Sequence, residues 1–236
     1  MPNPSSVGLT GNARISSLLG LNTGVLTAFA RSPADQIRAD AERLSHIILE
    51  MQRCGAFVTL AEHCPDQRER LIEAIQRGIK SHILVVTGGV SVGEHDLVQA
   101  TLRSLGARID VWRVAIKPGK PFLFGEAGGC AVFGLPGNPV SAFVTFLQFV
   151  RPAIMKMMGA KDLDLPKTPA RLAADVANEG DRTHYVRGRI DNGTFVPIGR
   201  QESHALFGLS QSNALLPVAV GELLKAGAIV DVQTWD

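Results

Sequence analysis

Residues 82–89, HILVVTGG, set four aliphatic side chains in an unbroken row ahead of a threonine and two glycines. A strand with one wet face alternates apolar and polar residues; one that does not alternate must be covered on both faces. This stretch therefore requires a sheet flanked by helices, and its neighbours supply them. Upstream, Leu44, Ile47, Ile48 and Met51 recur at helical spacing in a helix from Ile37 to about Arg53, which Gly55 ends. AFVTLAE follows as a strand and DQRERLIEAIQRGI as a helix with Pro65 and Asp66 at its start. Downstream come a helix through EHDLVQATLRSLG, strands near ARIDVWRVAI, FLFGE and CAVFGLPG, and a long helix from Pro139 to Met158. The alternation predicts an α/β fold, a three-layer α/β/α domain with a mostly parallel sheet over residues 37–160.

After Gly159 the pattern changes. ARLAADV, HYVRGRI, TFVPIG, LLPV and AIVDVQTW read as short strands between Gly, Asn and Pro turns, which predicts a small all-β domain over residues 165–236. Residues 1–36, rich in Ser, Gly, Asn and Pro, show no sustained period and read as a poorly ordered or atypical segment. A net charge of +2 with no Lys/Arg stripe argues against nucleic acid as a partner. Cys54, Cys64 and Cys130 have no C-x-x-C spacing, which fits reduced thiols and a cytoplasmic location. AVFGLPGNPVSAFVTFLQFV is broken by glycine and two prolines, short of the ~18 apolar residues of a membrane span.

In open α/β sheets ligands bind beyond the carboxyl ends of strands, so the residues after a strand are the first suspects. Thr87, Gly88, Gly89, Ser91 and Gly93 lie there in VVTGGVSVGEHD. The glycines let the backbone turn close to a ligand, and the helix that follows offers unpaired N–H groups to an anion. A plain strand-to-helix turn capped by Ser91 or Gly93 would look the same. The order GGxxxG is neither a dinucleotide fingerprint nor a Walker loop. Glu94 and Asp96 would compete with a phosphate for the same dipole end, unless a Mg2+ ion bridges carboxylate and phosphate; acids in a first turn are also ordinary helix stabilisers.

VAIKPGKPF, residues 114–122, frames two lysines with two prolines. Pro118-Gly119 suits the centre of a type II turn, which would hold the Cα atoms of Lys117 and Lys120 within ~7 Å of each other. Two ammonium groups at that distance repel unless an anion sits between them, so the reading is an anion clamp; two solvated lysines on a surface turn are the alternative. FGLPGNPVSAF repeats the logic: Asn138 is a favoured N-cap and Pro139 a favoured first helical residue, so Pro136, Gly137, Asn138 and Pro139 present a helix N-terminus at a strand end. The same four residues also start ordinary helices. Asp66 after the first strand reads as an N-cap or a further site acid.

TGGVSVGEHD, VAIKPGKPFLFG and FGLPGNPVSAFVTFLQFVRPAI, in this order and spacing, closely resemble the molybdopterin molybdotransferases, which insert molybdate into adenylylated molybdopterin during molybdenum cofactor biosynthesis. RTHYVRGRIDNGTFVPIGRQESHALFGLSQSNALLPV resembles the C-terminal β-domain of that family. The resemblance covers residues 37–236. It implies catalytic roles for Asp66, Asp96, Lys117 and Lys120. It implies binding of the pterin phosphate and molybdate by Thr87, Gly88, Gly89, Ser91, Gly93, Pro136, Gly137, Asn138, Pro139 and Ser203, which agrees with the Mg2+ read from the residues at Asp96 and Glu94. It also implies a homodimer that builds each site from both subunits, and the adenylyltransferase that makes the substrate as a partner.

The departures from the family pattern are specific. Two N-terminal domains and a G-D-E-L acid are not visible, and Gly93-Glu94-His95-Asp96 stands where the family has G-D-Y-D. Two functions stay open: a molybdotransferase complemented by the missing half, or a non-catalytic pterin-binding scaffold that has lost turnover.

Overall fold

The computed structural model describes residues 24–30, 45–64, 67–90, 97–199, 201 and 206–235. The first sheet runs in the order β2-β1-β3-β7-β6-β4, built from β1 (Gly24–Ala30), β2 (Phe57–Cys64), β3 (Ile83–Thr87), β4 (Arg108–Trp112), β6 (Leu123–Ala127) and β7 (Cys130–Leu135). β2, β1, β3 and β7 are mutually parallel, whereas β6 is antiparallel to both β7 and β4, so the sheet is mixed. The reason is local: Gly128 and Gly129, both at positive φ, close a tight hairpin between β6 and β7, and a two-residue link can only reverse a chain.

β3, the unbroken apolar strand, is buried at every position. Its side chains feed two cores on opposite faces of the sheet. Leu84 and Val86 pack with Leu71, Ala74 and Ile75 of α2 (Arg68–Gly78) and Val98 and Leu102 of α3 (Leu97–Ser104). Ile83 and Val85 pack on the other face with Ile47 and Met51 of α1 (residues 45–53) and with the long helix that begins at Pro139.

β1 departs from the reading of residues 1–36 as a poorly ordered or atypical segment. GVLTAFA sits between β2 and β3, paired in parallel with both. Three aliphatic or aromatic residues among alanine and threonine suffice for a strand in that slot, and the Ser/Gly/Pro-rich flanks hide the pattern from a window average. The start of α2 departs as well: its N-cap is Gln67, with no side-chain cap bond, not Asp66.

The long helix is α4 (Pro139–Thr145), one π turn over Phe146–Val150, and α5 (Arg151–Met157). Pro152 explains the π turn, because it has no N–H for the carbonyl of Gln148 and its ring crowds that oxygen. Pro139–Met157 is, at 19 residues, long and apolar enough to cross a membrane, contrary to the expectation that glycine and proline shorten it. Here it is a core helix: Val140, Ala142, Val144, Phe146 and Val150 are each fully buried against the sheet.

The C-terminal part is strand-rich. β8 (Lys167–Leu172), β10 (Thr183–Asp191), β11 (Thr194–Pro197), β12 (Ala214–Val218) and β14 (Ile229–Thr234) form a ring, β11-β8-β14-β12-β10, that closes through β10–β11. β9 (Val176–Ala177) and β13 (Leu223–Leu224) pair outside it. A short helix, α6 (Leu206–Ser210), interrupts what the sequence presents as all-β. Ring closure leaves a core of its own, with Val186, Phe195, Leu216, Val218 and Val232 inside.

Two connections tie the parts together. Leu215, on the outer side of the ring, belongs to the same buried cluster as Phe146 and Val150, with Tyr185 and Trp235 packed against it. Trp235 meets Phe143 edge-on at 5.3 Å, and Gln148 Nε2 donates to Gln233 Oε1 at 2.9 Å. The second connection is β5 (Ile116–Lys117), which lies between β4 and β6 in sequence yet pairs in parallel with β10 of the ring.

Candidate functional site

The ends of β3 and β7 and the start of β6, to which the three turns attach, lie together at one end of the strands of the first sheet. Thr87 ends β3 opposite Leu135, which ends β7, and Gly88 N donates to Leu135 O at 3.1 Å. The turn after β3 therefore abuts Pro136–Pro139. β6 begins at Leu123, opposite Gly134 near the end of β7, so the lysine turn that precedes it enters from the same end. Gly88 and Gly89 have φ of 81° and 69°, the left-handed region that glycine occupies without penalty, as the tight-turn reading requires. Asp66, Ser91, Gly93, Glu94, Asp96 and Ser203 lie outside the described residues.

The lysine turn is not the expected type II form. Gly119 has φ of 122° and the Lys117–Pro118 bond is cis. Pro118 and Gly119 are buried while Lys117 and Lys120 are exposed. The cause is packing: a Cβ on Gly119 would lie 2.6 Å from Thr145 Cγ2 of α4 and 3.1 Å from Ile116 Cδ1. The turn thus presses its tip into the helix and holds both ammonium groups outward. Val114 N donates to Lys120 O at 3.1 Å and Arg113 N to Phe122 O at 2.8 Å, which closes the base.

Asn138 behaves as a cap. Its Oδ1 accepts from Ser141 N at 3.1 Å, Ala142 N donates to Asn138 O at 2.8 Å, and Pro139 has no N–H. Most of the first-turn donors are therefore satisfied or missing, and this helix end offers an anion less than the sequence suggests. Asn138→Ala is expected to lower the unfolding free energy by about 1 kcal/mol, read as a shifted urea midpoint at unchanged m, while Asn138→Asp keeps the cap.

The sequence reading missed what the β-ring brings to the lysines. Because β10 pairs with β5, Thr183 lies beside Ile116 and His184 beside Lys117. Arg182 Nη1 donates to Ile116 O at 3.4 Å and its Nε to Asp181 Oδ1 at 2.9 Å. The Arg182 hydrogen bond, aided by the charges of Arg182 and Lys120, holds the Asp181 carboxyl below its usual range. Arg187 is 1% exposed, and burial pulls its guanidinium downward. Gln201 grips the backbone of Arg187 from both sides, accepting from its N at 2.9 Å and donating to its O at 3.0 Å. The visible signal was RTHYVRGR, four basic residues within one strand and its approach.

Cys54, Cys64 and Cys130 form no disulfide, and burial pushes the thiols of Cys54 and Cys130 up to about 11, so neither of those two is a thiolate at neutral pH.

Residues 39–156 match the model of a probable molybdopterin binding domain, and residues 169–235 match that of the MoeA C-terminal region (domain IV). The chain belongs to the molybdopterin molybdotransferase family. It is 48% identical over 143 residues to a molybdopterin molybdenumtransferase of Haemophilus influenzae, covering 58% of this chain and 35% of the relative. The corresponding protein of Staphylococcus epidermidis is 34% identical over 173 residues, covering 71% of this chain and 41% of its own length. The chain thus spans less than half of these molybdotransferases. A molybdopterin biosynthesis MoeA protein of Pyrococcus horikoshii shares the fold, with a TM-score of 0.73 at 21% identity, covering 99% of this chain and 60% of the other.

Proposed function

We propose that this chain binds molybdopterin, in adenylylated form, together with molybdate, and supplies the C-terminal part of a molybdotransferase site that inserts the metal oxyanion into the pterin. The observation that carries the reading is the lysine turn: two exposed ammonium groups on a turn braced by α4, at the end of the strands from which Thr87–Gly89 and Pro136–Pro139 also lead. Molybdate and diphosphate are both oxyanions, and fixed cations that need no rearrangement stabilise them best. Lys117 and Lys120 orient the oxyanion and hold its charge; the turn after β3 gives the pterin phosphate a backbone it can approach closely.

Among the described residues no group of three His, Cys, Asp or Glu could hold a metal ion. The Mg2+ part of the proposal rests on Asp96 and Glu94, with Asp66 as a further site acid, all outside those residues. The chain acts in the cytoplasm, as a homodimer, receiving its substrate from the adenylyltransferase.

The test is AMP release from adenylylated molybdopterin, dependent on Mg2+ and molybdate, assayed with and without a separately expressed N-terminal half of a relative. Release on complementation is expected. Pterin binding without release in either assay would make the chain a scaffold. The absence of both binding and release would overturn the proposal.

A further inference from the structure

His184 Nε2 is the one buried side-chain nitrogen or oxygen among the described residues that has no hydrogen-bond partner. The residue is 7% exposed. A buried polar atom without a partner loses its hydration with no compensating bond, so a site that retains one calls for a reason. Its surroundings supply one. His184 is the register neighbour of Lys117 in a parallel pair, and paired residues on strands about 4.8 Å apart project from the same face of the sheet. On its other side His184 pairs with Val218, so it stands at the end of the β-ring interior, beyond Val186 and Val218. The neighbouring polar group is already committed: Asn178 Nδ2 donates to Arg182 O, Val218 O and Ala219 O at 2.8 to 3.0 Å, and its Oδ1 accepts from Gly180 N.

We infer that His184 is a third member of the oxyanion site, its imidazole donating Nε2–H to the anion that Lys117 attracts, so that the β-ring contributes directly to a clamp built by the α/β part. This rests on the proposed anion role of the lysine turn. Burial, with Lys117 and Arg187 nearby, depresses the imidazole to about 4, which makes it a neutral ring at physiological pH. A neutral donor suits the position. It adds no third like charge next to Lys117 when the site is empty. The oxyanion class is tetrahedral and doubly charged, molybdate or a phosphate group, with acceptor oxygens enough for an ammonium and an imidazole together.

The probes are molybdate and inorganic phosphate, titrated calorimetrically into the full chain. His184→Phe fills the ring's volume and removes the donor; affinity is expected to fall about tenfold, the worth of one good hydrogen bond. His184→Gln keeps a donor on a polar side chain and is expected to stay within about threefold of wild type. Should the Phe variant misfold, the wild-type protein answers: of its six histidines, the His184 Nε2 resonance should shift on titration with phosphate. If His184→Phe binds as wild type does while Lys117→Ala loses binding, or if that resonance stays still, His184 is a core residue and the inference fails while the clamp stands. If wild type binds neither anion, the clamp fails too.

Discussion

The Lys117→Ala/Lys120→Ala double variant should bind molybdate or phosphate about a hundredfold more weakly than wild type at low ionic strength, with its melting temperature unchanged within a few degrees. Each charge-assisted hydrogen bond contributes about 1.5–3 kcal/mol, and the two lysines act on the same anion. Folding is spared because both side chains are exposed; the buried members of the turn are Pro118 and Gly119. The deficit should shrink as salt is raised, since screening weakens the wild-type attraction and leaves the variant little to lose. Equal oxyanion affinity in the two proteins would rule out the clamp.

Leu215→Ala should cost about 3 kcal/mol and should destabilise the whole molecule as one unit. Leu215 is fully buried, and although it belongs to β12 of the ring it packs in the cluster of Phe146, Val150 and Ile154. A cavity there removes contacts from both parts together. Denaturant unfolding followed by the near-UV signal of Trp112, on β4, and of Trp235, beside the ring, should therefore give coincident transitions in wild type, shifted equally in the variant. Separate midpoints, with only one displaced, would mean that the two parts fold independently.

Much of the α/β architecture was legible because its signals are local. An unalternating run such as ILVV has one physical solution, and Asn138-Pro139 announces its own cap. What was hidden depends on contacts far apart in sequence. The antiparallel β6 follows from a hairpin at Gly128-Gly129 that a reading of strand–helix alternation passes over. β1 has ordinary strand composition and owes its place to the slot between β2 and β3. At the site, the lysine pair was visible from its prolines, but its inverted burial comes from Thr145, 26 positions beyond Gly119. His184, Arg182 and Arg187 look like a basic strand on the page; only the β5–β10 pairing brings His184 next to Lys117.

That pairing also governs how the chain can be divided. One edge of β10 is covered in three stages: β5 at Thr183 and His184, Gln201 and Ile198 N at Arg187, and β11 from Gly188 onward. A fragment cut at residue 160 keeps the second and third and loses the first. The isolated C-terminal piece would then present open backbone donors and acceptors at the start of β10, a template for strands of other chains. Expressed alone it should tend to associate, and a short peptide carrying Ile116-Lys117 should compete with that association.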